Sequence, residues 1–255
     1  MSGFFLLRTG DVRKQRKRLI SYLSYVFFPG VFLLVYFWIH QWQIKQRIAH
    51  LQDQDRFLYA GNTNQMQVAL TFDDGPNPTY TPQILAILER YGVKATFFWV
   101  GHNIVACPEI VRQAHIAGHV IGNHSWSHPN LALRFKRTIQ AQLTRTSDVI
   151  QQTIGVRPTF FRPPYGALNA STLTCTDELD MTTVIWDVLA TDWAMPGVDV
   201  IANRVIEHTG NGSIILLHDG GGDRSETVAA LPIIIENLRK RGFQFVTLQQ
   251  LKYSF

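Results

Sequence analysis

Two adjacent carboxylates, Asp73 and Asp74, stand in the segment Thr71-Phe72-Asp73-Asp74-Gly75-Pro76. Leaving a buried strand side by side, they would repel each other unless a cation or a hydrogen-bond donor holds at least one of them. Taken alone, an Asp-Gly turn with one capping carboxylate explains the pair as well. Two histidines four apart change that balance: His124 and His128, in Asn123-His124-Ser125-Trp126-Ser127-His128-Pro129. If the segment makes a helical turn, both can reach one metal ion, the spacing that HExxH zinc sites use. With one aspartate they supply three protein ligands and leave coordination positions open, a catalytic arrangement rather than a structural one. Neutral imidazole suits zinc and the neighbouring first-row ions.

Three further segments carry ionisable groups. In Arg162-Pro163-Pro164-Tyr165-Gly166 the prolines fix the backbone and remove two donors, which leaves the Tyr165 and Gly166 amides free to face a ligand. Arg162 could hold an aspartate ionised by pairing with it. Asp192-Trp193 puts a carboxylate beside an aromatic, and Ile214-Ile215-Leu216-Leu217-His218-Asp219 ends an apolar run in an ionisable pair. A histidine there could act as a general acid. Taken singly, a rigid connector, a helix-capping aspartate and a satisfied polar residue at a strand end would account for these three.

The elements that must position these groups are legible as short apolar runs alternating with helical patterns from Gln67 onward, which argues for βα units around a parallel sheet. Strands are expected at 68–72, 95–100, 119–122, 159–162, 182–186, 213–217 and 244–247. Helices are expected at 82–91, 108–117, 137–154, 200–209 and 227–241. Gly92, Gly118, Gly155, Gly210 and Gly242 come just after these helices and suit left-handed C-caps. The pattern predicts an α/β fold, a distorted (β/α) barrel of about seven strands. Asp73, Asp74, His124, His128, Arg162, Asp192 and His218 all fall just after an expected strand, where parallel barrels build their active sites.

The chain of 255 residues is 46% hydrophobic and 17% charged with two cysteines, which excludes a collagen, a disulfide-dense miniprotein and a disordered chain. Residues 1–56 hold nine Lys/Arg against three acids, and the remainder is close to neutral. A nucleic-acid footprint needs a basic face on the domain itself, so no nucleic acid is expected; no nucleotide cofactor is expected either. The 21 residues Leu19–Ile39 carry no charge. As a helix they would span roughly 31 Å, enough for one transmembrane pass. Five cations within Arg13–Arg18 place the N-terminus in the cytoplasm and the chain beyond Ile39 outside. The expected organisation is a basic tail over 1–18, a signal anchor over 19–39, a polar stem with a helical centre over 40–66, and a catalytic domain over 67–255. Cys107 and Cys175 would then face an oxidising space where pairing is possible.

The set TFDDGP, HSWSH, RPPYG, DW and LLHD, in this order, resembles the motifs of the NodB-homology polysaccharide deacetylases, carbohydrate esterase family 4. The resemblance covers roughly Gln67 to Leu251, and KATFFWVG (Lys94–Gly101) and FQFVTLQQL (Phe243–Leu251) share in it. One departure is the Thr-rich NASTLTCTDELDM (Asn169–Met181), where the family has better helix formers.

The resemblance implies that one divalent metal ion, zinc with cobalt or nickel as alternatives, is bound by Asp74, His124 and His128. It implies that Asp73 is the base for the attacking water and that Arg162 orients it. The Tyr165 N–H would stabilise the oxyanion, His218 would protonate the leaving amine and Asp192 would raise its proton affinity. Trp193 and Leu216 would line the pocket for the acetyl methyl group. The expected function is removal of N-acetyl groups from GlcNAc residues of an extracytoplasmic glycan, peptidoglycan first. Chitooligosaccharides, lipid-linked sugars and a non-catalytic glycan-binding scaffold are the alternatives.

Overall fold

The computed structural model describes residues 9–61 and 63–252, with side chains from Val31 onward. Two compact units divide the chain, one up to Gln46 and one from Arg47. The described part of the first is helical and is most of α1 (Thr9–Asp53). Every side chain from Val31 to Ile39 is exposed. Among the described residues no helix is long and apolar enough to cross a membrane. Residues 1–8, and the side chains of 9–30, which take in the rest of the basic tail and the first part of the expected anchor, lie outside the described ones.

The second unit takes in the end of the segment read as a stem. Leu51 is buried, and β1 (Phe57–Leu58) is already a strand of the sheet, paired with residues 183–184. Along the chain come β2 (Gln67–Asp73), α2 (Tyr80–Arg90), β3 (Thr96–Trp99), α3 (Gly101–Ala106), α4 (Pro108–Ile116), β4 (Val120–Asn123) and α5 (Lys136–Ile154). Next are β5 (Phe160–Phe161), α6 (Ala170–Glu178), β6 (Thr182–Val184), β7 (Val188–Leu189), α7 (Val198–His208) and β8 (Ile214–His218). α8 (Ser225–Lys240), β9 (Gln244–Phe245) and α9 (Leu248–Lys252) complete it. All seven expected strands are present, and β1 and β7, two residues each, bring the sheet to nine.

Every pairing is parallel, in the order β1-β6-β5-β4-β3-β2-β8-β7, with β9 beside β2. The path is open between β7 and β1. Residues 185–187, which join β6 to β7, span that gap, with Ile185 N bonded to Leu58 O and Asp187 N to Ile214 O. The result is a curled, incomplete barrel rather than a closed one.

Strand periodicity gives the sheet two interiors. Val68, Leu70 and Phe72 of β2 face the helices and join Ile84 and Leu88 of α2 and Leu231, Ile234 and Ile235 of α8 in the main core. Ala69 faces the other way, into a smaller cluster with Phe98, Phe160, Ile214, Leu248 and Leu251 that plugs the barrel. Each such large side chain buried contributes about 1.5–3 kcal/mol.

Local signals explain where the elements stop. Gly92, Gly118, Gly155 and Gly242 have φ of 58°, 83°, 79° and 94°, as expected of C-caps. Gly210 does not. α7 ends in extended backbone at Thr209, and the left-handed residue is Gly212, φ 77°, where a Cβ would meet Gly61 O at 2.2 Å. The Thr-rich segment is helical after all: Asn169 Oδ1 accepts from Thr172 N at 2.8 Å in a capping box, and Leu173, Cys175 and Thr176 are buried. Cys107 and Cys175 are both free thiols.

Candidate active site

Register alone brings the expected residues to one level. In β2, Asp73 is the partner of Phe98 in β3 and of His218 in β8. Trp99 is the partner of Asn123 in β4, which is in turn the partner of Phe161 in β5. The next residues along the chain, Asp74, Val100, His124, Arg162 and Asp219, therefore leave the C-terminal ends of five neighbouring strands together.

Arg162 enters the barrel and is fully buried. Its Nη1 donates to Asp73 Oδ1 at 2.8 Å and to Thr71 Oγ1 at 2.7 Å. Its Nη2 donates to Ile185 O at 2.9 Å, and its guanidinium lies 4.3 Å from the Phe98 ring centroid. Burial lowers the Arg162 pKa, and the pairing with Asp73 opposes that shift. A buried charge is tolerated when paired and hydrogen-bonded in this way.

Asp74, His124 and His128 each offer one ligand atom, all within 4.8 Å of one another. The two histidines do not reach this point on a helical turn, as their spacing suggested. The backbone turns through left-handed conformations at Ser125 (φ 66°) and His128 (φ 54°). Asn123 Oδ1 accepts from Ser125 N at 2.8 Å and Ser125 Oγ from His128 N at 3.1 Å, which holds that turn. His124 Nδ1 lies 2.7 Å from Arg162 O. A carbonyl partner makes Nδ1 the N–H and leaves Nε2 its lone pair, the tautomer a metal ligand needs.

Both Nε2 atoms face Asp74 Oδ1, at 3.5 and 3.1 Å, yet that buried oxygen has no well-formed hydrogen bond. Burial would raise the Asp74 pKa, but the two imidazoles hold it far below the usual carboxylate range. For His124 burial acts downward, and Asp73 and Asp74 outweigh it. An orphaned carboxylate oxygen facing two imidazole nitrogens fits a divalent cation.

His218 is tied to Asp192 twice: Nδ1 to Oδ1 at 2.8 Å and backbone N to Oδ2 at 2.8 Å. Thr227 Oγ1 also donates to Asp192 Oδ2, so this fully buried carboxylate is satisfied. The Trp193 ring meets the His218 ring edge-on at 5.5 Å. Tyr165 has φ 61°, and its ring meets that of His128 at 4.6 Å. The Tyr165 amide has no backbone partner among the described residues, but the Gly166 amide, expected to be free, donates to Pro163 O at 3.0 Å.

One cavity of about 660 Å³ is lined by Asp73, Asp74, His124, His128, Tyr165, Trp193, Leu216 and His218. Arg162 and Asp192 lie behind this wall and hold Asp73 and His218. All ten expected residues thus belong to one site. It brings together carboxylates, a histidine and a candidate three-ligand cation site around a partly apolar hollow, the kinds of group that amide hydrolysis needs.

Four contributors were given no role from the sequence. Asn103 of α3 donates to Asp74 O at 2.8 Å, and Thr71 bonds Arg162 from inside the barrel. Asp219 is buried behind the site, where its Oδ2 accepts from Thr81 Oγ1 at 2.6 Å and Trp99 Nε1 at 2.9 Å. Arg224 lines the cavity. For Asp219, its place beside His218 was a usable signal. Asn103 and Arg224 carry none that spacing reveals.

The sequence pattern of the family described as polysaccharide deacetylase matches residues 60–184. A peptidoglycan-N-acetylglucosamine deacetylase of Bacillus cereus is 40% identical over 190 residues, 74% of this chain and 89% of that protein. A chitooligosaccharide deacetylase of Azorhizobium caulinodans is 36% identical over 71% of this chain and 91% of its own. The crystal structure of a peptidoglycan N-acetylglucosamine deacetylase bound to a hydroxamate-type benzamide superposes with a TM-score of 0.76 at 39% identity, covering 79% of this chain and 94% of the other. With the barrel, the site and these relatives in agreement, the chain belongs to the polysaccharide deacetylase family and is a hydrolase of glycan N-acetyl groups.

Proposed function

We propose that this chain is a metal-dependent deacetylase of the GlcNAc residues of peptidoglycan, held at a membrane by its N-terminal helix with the catalytic unit outside. The observation that carries the chemistry is the convergence of the Asp73–Arg162 pair, the Asp74–His124–His128 cluster and the His218–Asp192 pair on one cavity. Asp74, His124 and His128 would hold the ion, zinc first, with cobalt or nickel as alternatives; when bound it supplies a Lewis acid and lowers the pKa of water.

Asp73 takes the proton of the attacking water, and Arg162 keeps its carboxylate oriented. The Tyr165 N–H donates to the oxygen on which negative charge develops. His218 gives a proton to the departing amine from the nitrogen that Asp192 does not occupy. Trp193 and Leu216 enclose the acetyl methyl group. Acetate and a free amine on the sugar are the products.

The peptidoglycan reading is supported by what the Bacillus cereus relative is described as acting on. The chitooligosaccharide relative favours a second reading, in which short neutral oligomers are the substrate. Membrane attachment is supported by the charge-free run Leu19–Ile39 behind the cations of Arg13–Arg18.

The test is acetate release by the full chain, in detergent, from peptidoglycan and from chitooligosaccharides, with metal stripped and restored and Asp73→Asn as control. Metal-dependent release that the variant lacks supports the mechanism, and the preferred substrate decides between the two readings. Release that survives metal stripping or Asp73→Asn would end it.

A further inference from the structure

Arg224 is a cation on the wall of the active-site cavity that the chemistry above does not use. It is buried, 3% exposed, just ahead of α8. Its Nε donates to Gly220 O at 2.7 Å and its Nη1 to Asp223 O at 2.7 Å. Both partners are carbonyls, which orient the guanidinium without forming an ion pair with it. The carboxylates nearby make their hydrogen bonds elsewhere, although the Asp223 charge is felt by Arg224 at longer range. Asp223 accepts from Tyr80 Oη and Ser225 N, each at 2.8 Å. Asp73 faces Arg162, and Asp192 faces His218. Among the described residues no carboxylate forms an ion pair with Arg224, and its Nη2 has no protein hydrogen-bond partner.

A buried guanidinium fixed through Nε and Nη1 on a cavity wall, with Nη2 lacking a protein acceptor, can receive an oxyanion, since carboxylates exploit its charge and hydroxyls do not need it. Resting on the peptidoglycan reading, we propose that Arg224 recognises a carboxylate of the bound glycan and makes this enzyme selective for anionic over neutral GlcNAc polymers. That carboxylate has two sources in peptidoglycan. Where the peptide stem has been removed it is the lactyl group of the muramyl sugar. Where the stem is present, the lactyl carboxyl is amide-linked and the stem's own carboxylates take its place.

The experiment measures acetate release by the full chain, metal-loaded, from chitotetraose, from peptide-free muramyl glycan and from peptide-bearing glycan. The two anionic substrates are also used after conversion of their carboxylates to methylamides. Wild-type kcat/KM is expected to fall at least tenfold on methylamidation of one anionic substrate, and that substrate names the source. Arg224→Gln is expected to abolish this discrimination, and Arg224→Lys to restore part of it.

The anionic-to-neutral ratio is insensitive to a general loss of folded enzyme. If Arg224→Gln lowers kcat/KM by the same factor on chitotetraose as on both anionic glycans, Arg224 only braces the Gly220–Asp223 loop and the proposal fails. It also fails, with the deacetylase reading standing, if methylamidation changes neither substrate. Release from chitotetraose alone would remove the peptidoglycan reading, and the inference with it.

Discussion

Asp73 and His218 are register partners at the ends of adjacent strands, β2 and β8. The proposed base and acid therefore stand side by side because the ladder puts them there, not because a loop happens to fold so. A one-residue slip of β8 would turn His218 to the other face of the sheet. Each is held by a buried partner on its far side, Asp73 by Arg162 and His218 by Asp192, both at 2.8 Å.

Removal of Arg162 tests the first of these supports. Without it, Asp73, 3% exposed, would be a buried carboxylate beside an empty guanidinium site. Losing one partner of such a pair costs about 3–5 kcal/mol. Arg162→Met is expected to lose that much stability in a denaturant titration and to cut acetate release about a hundredfold or more. Arg162→Lys should not rescue it, because one ammonium cannot serve Asp73, Thr71 and Ile185 together. A Lys variant with wild-type stability and activity would show that only the charge matters.

The second support predicts a pH effect. Burial pushes the His218 pKa down, but the hydrogen bond and charge of Asp192, with the charges of Asp73 and Asp74, raise it above the ordinary histidine value. In the proposed mechanism the protonated ring is the acid, so activity is expected below this raised pKa and its loss is expected as pH rises through it. Asp192→Asn removes the largest raising influence. The basic limb of the kcat/KM profile should move to lower pH by about one unit, which corresponds to about 1.4 kcal/mol. An unmoved basic limb would show that another group sets it.

Asp219 predicts a pH effect on stability instead. Burial, opposed by the bonds from Thr81 and Trp99, pushes its carboxyl from 3.8 up to about 7. The native state keeps a proton there that the unfolded chain has lost, so stability falls as pH rises from about 4 to about 7 and levels off above. In Asp219→Asn, whose amide oxygen can still accept from Thr81 and Trp99, that decline should vanish. Melting temperatures of both proteins across this range test it: parallel curves would place the titration elsewhere.

These contacts also mark how far the sequence could be read. Apolar runs such as those at 68–72 and 213–217 identify strands because burial on both faces demands them, and all seven expected strands are present. β1 and β7 carry no such signal, since Phe57–Leu58 and Val188–Leu189 are short apolar pairs preceded by polar residues, Asp55-Arg56 before the first and Asp187 before the second. The four-residue spacing of His124 and His128 pointed to a shared cation, but their convergence rests on two positive-φ residues that spacing does not encode. Asn103 and Thr71 bond Asp74 and Arg162 across sequence separations of 29 and 91. No local pattern reports such a pair.

Gly221 offers a final test, because its effect on the cation site can be separated from backbone strain. It has φ 75°, and a Cβ there would lie 2.6 Å from Asp74 Oδ2. Gly92 has φ 58° with nothing within 4 Å of the same position. An alanine at either site carries the left-handed penalty of about 1–2 kcal/mol, so Gly92→Ala serves as the strain control. Gly221→Ala must in addition displace the Asp74 carboxylate or the loop that abuts it. Zinc titration of the metal-stripped proteins should show wild-type affinity for Gly92→Ala. For Gly221→Ala it should show a loss of about ten- to a hundredfold, the range seen when groups that orient metal ligands are changed. If both variants bind zinc alike, the gap left by Gly221 does not position Asp74, and the glycine serves only the turn.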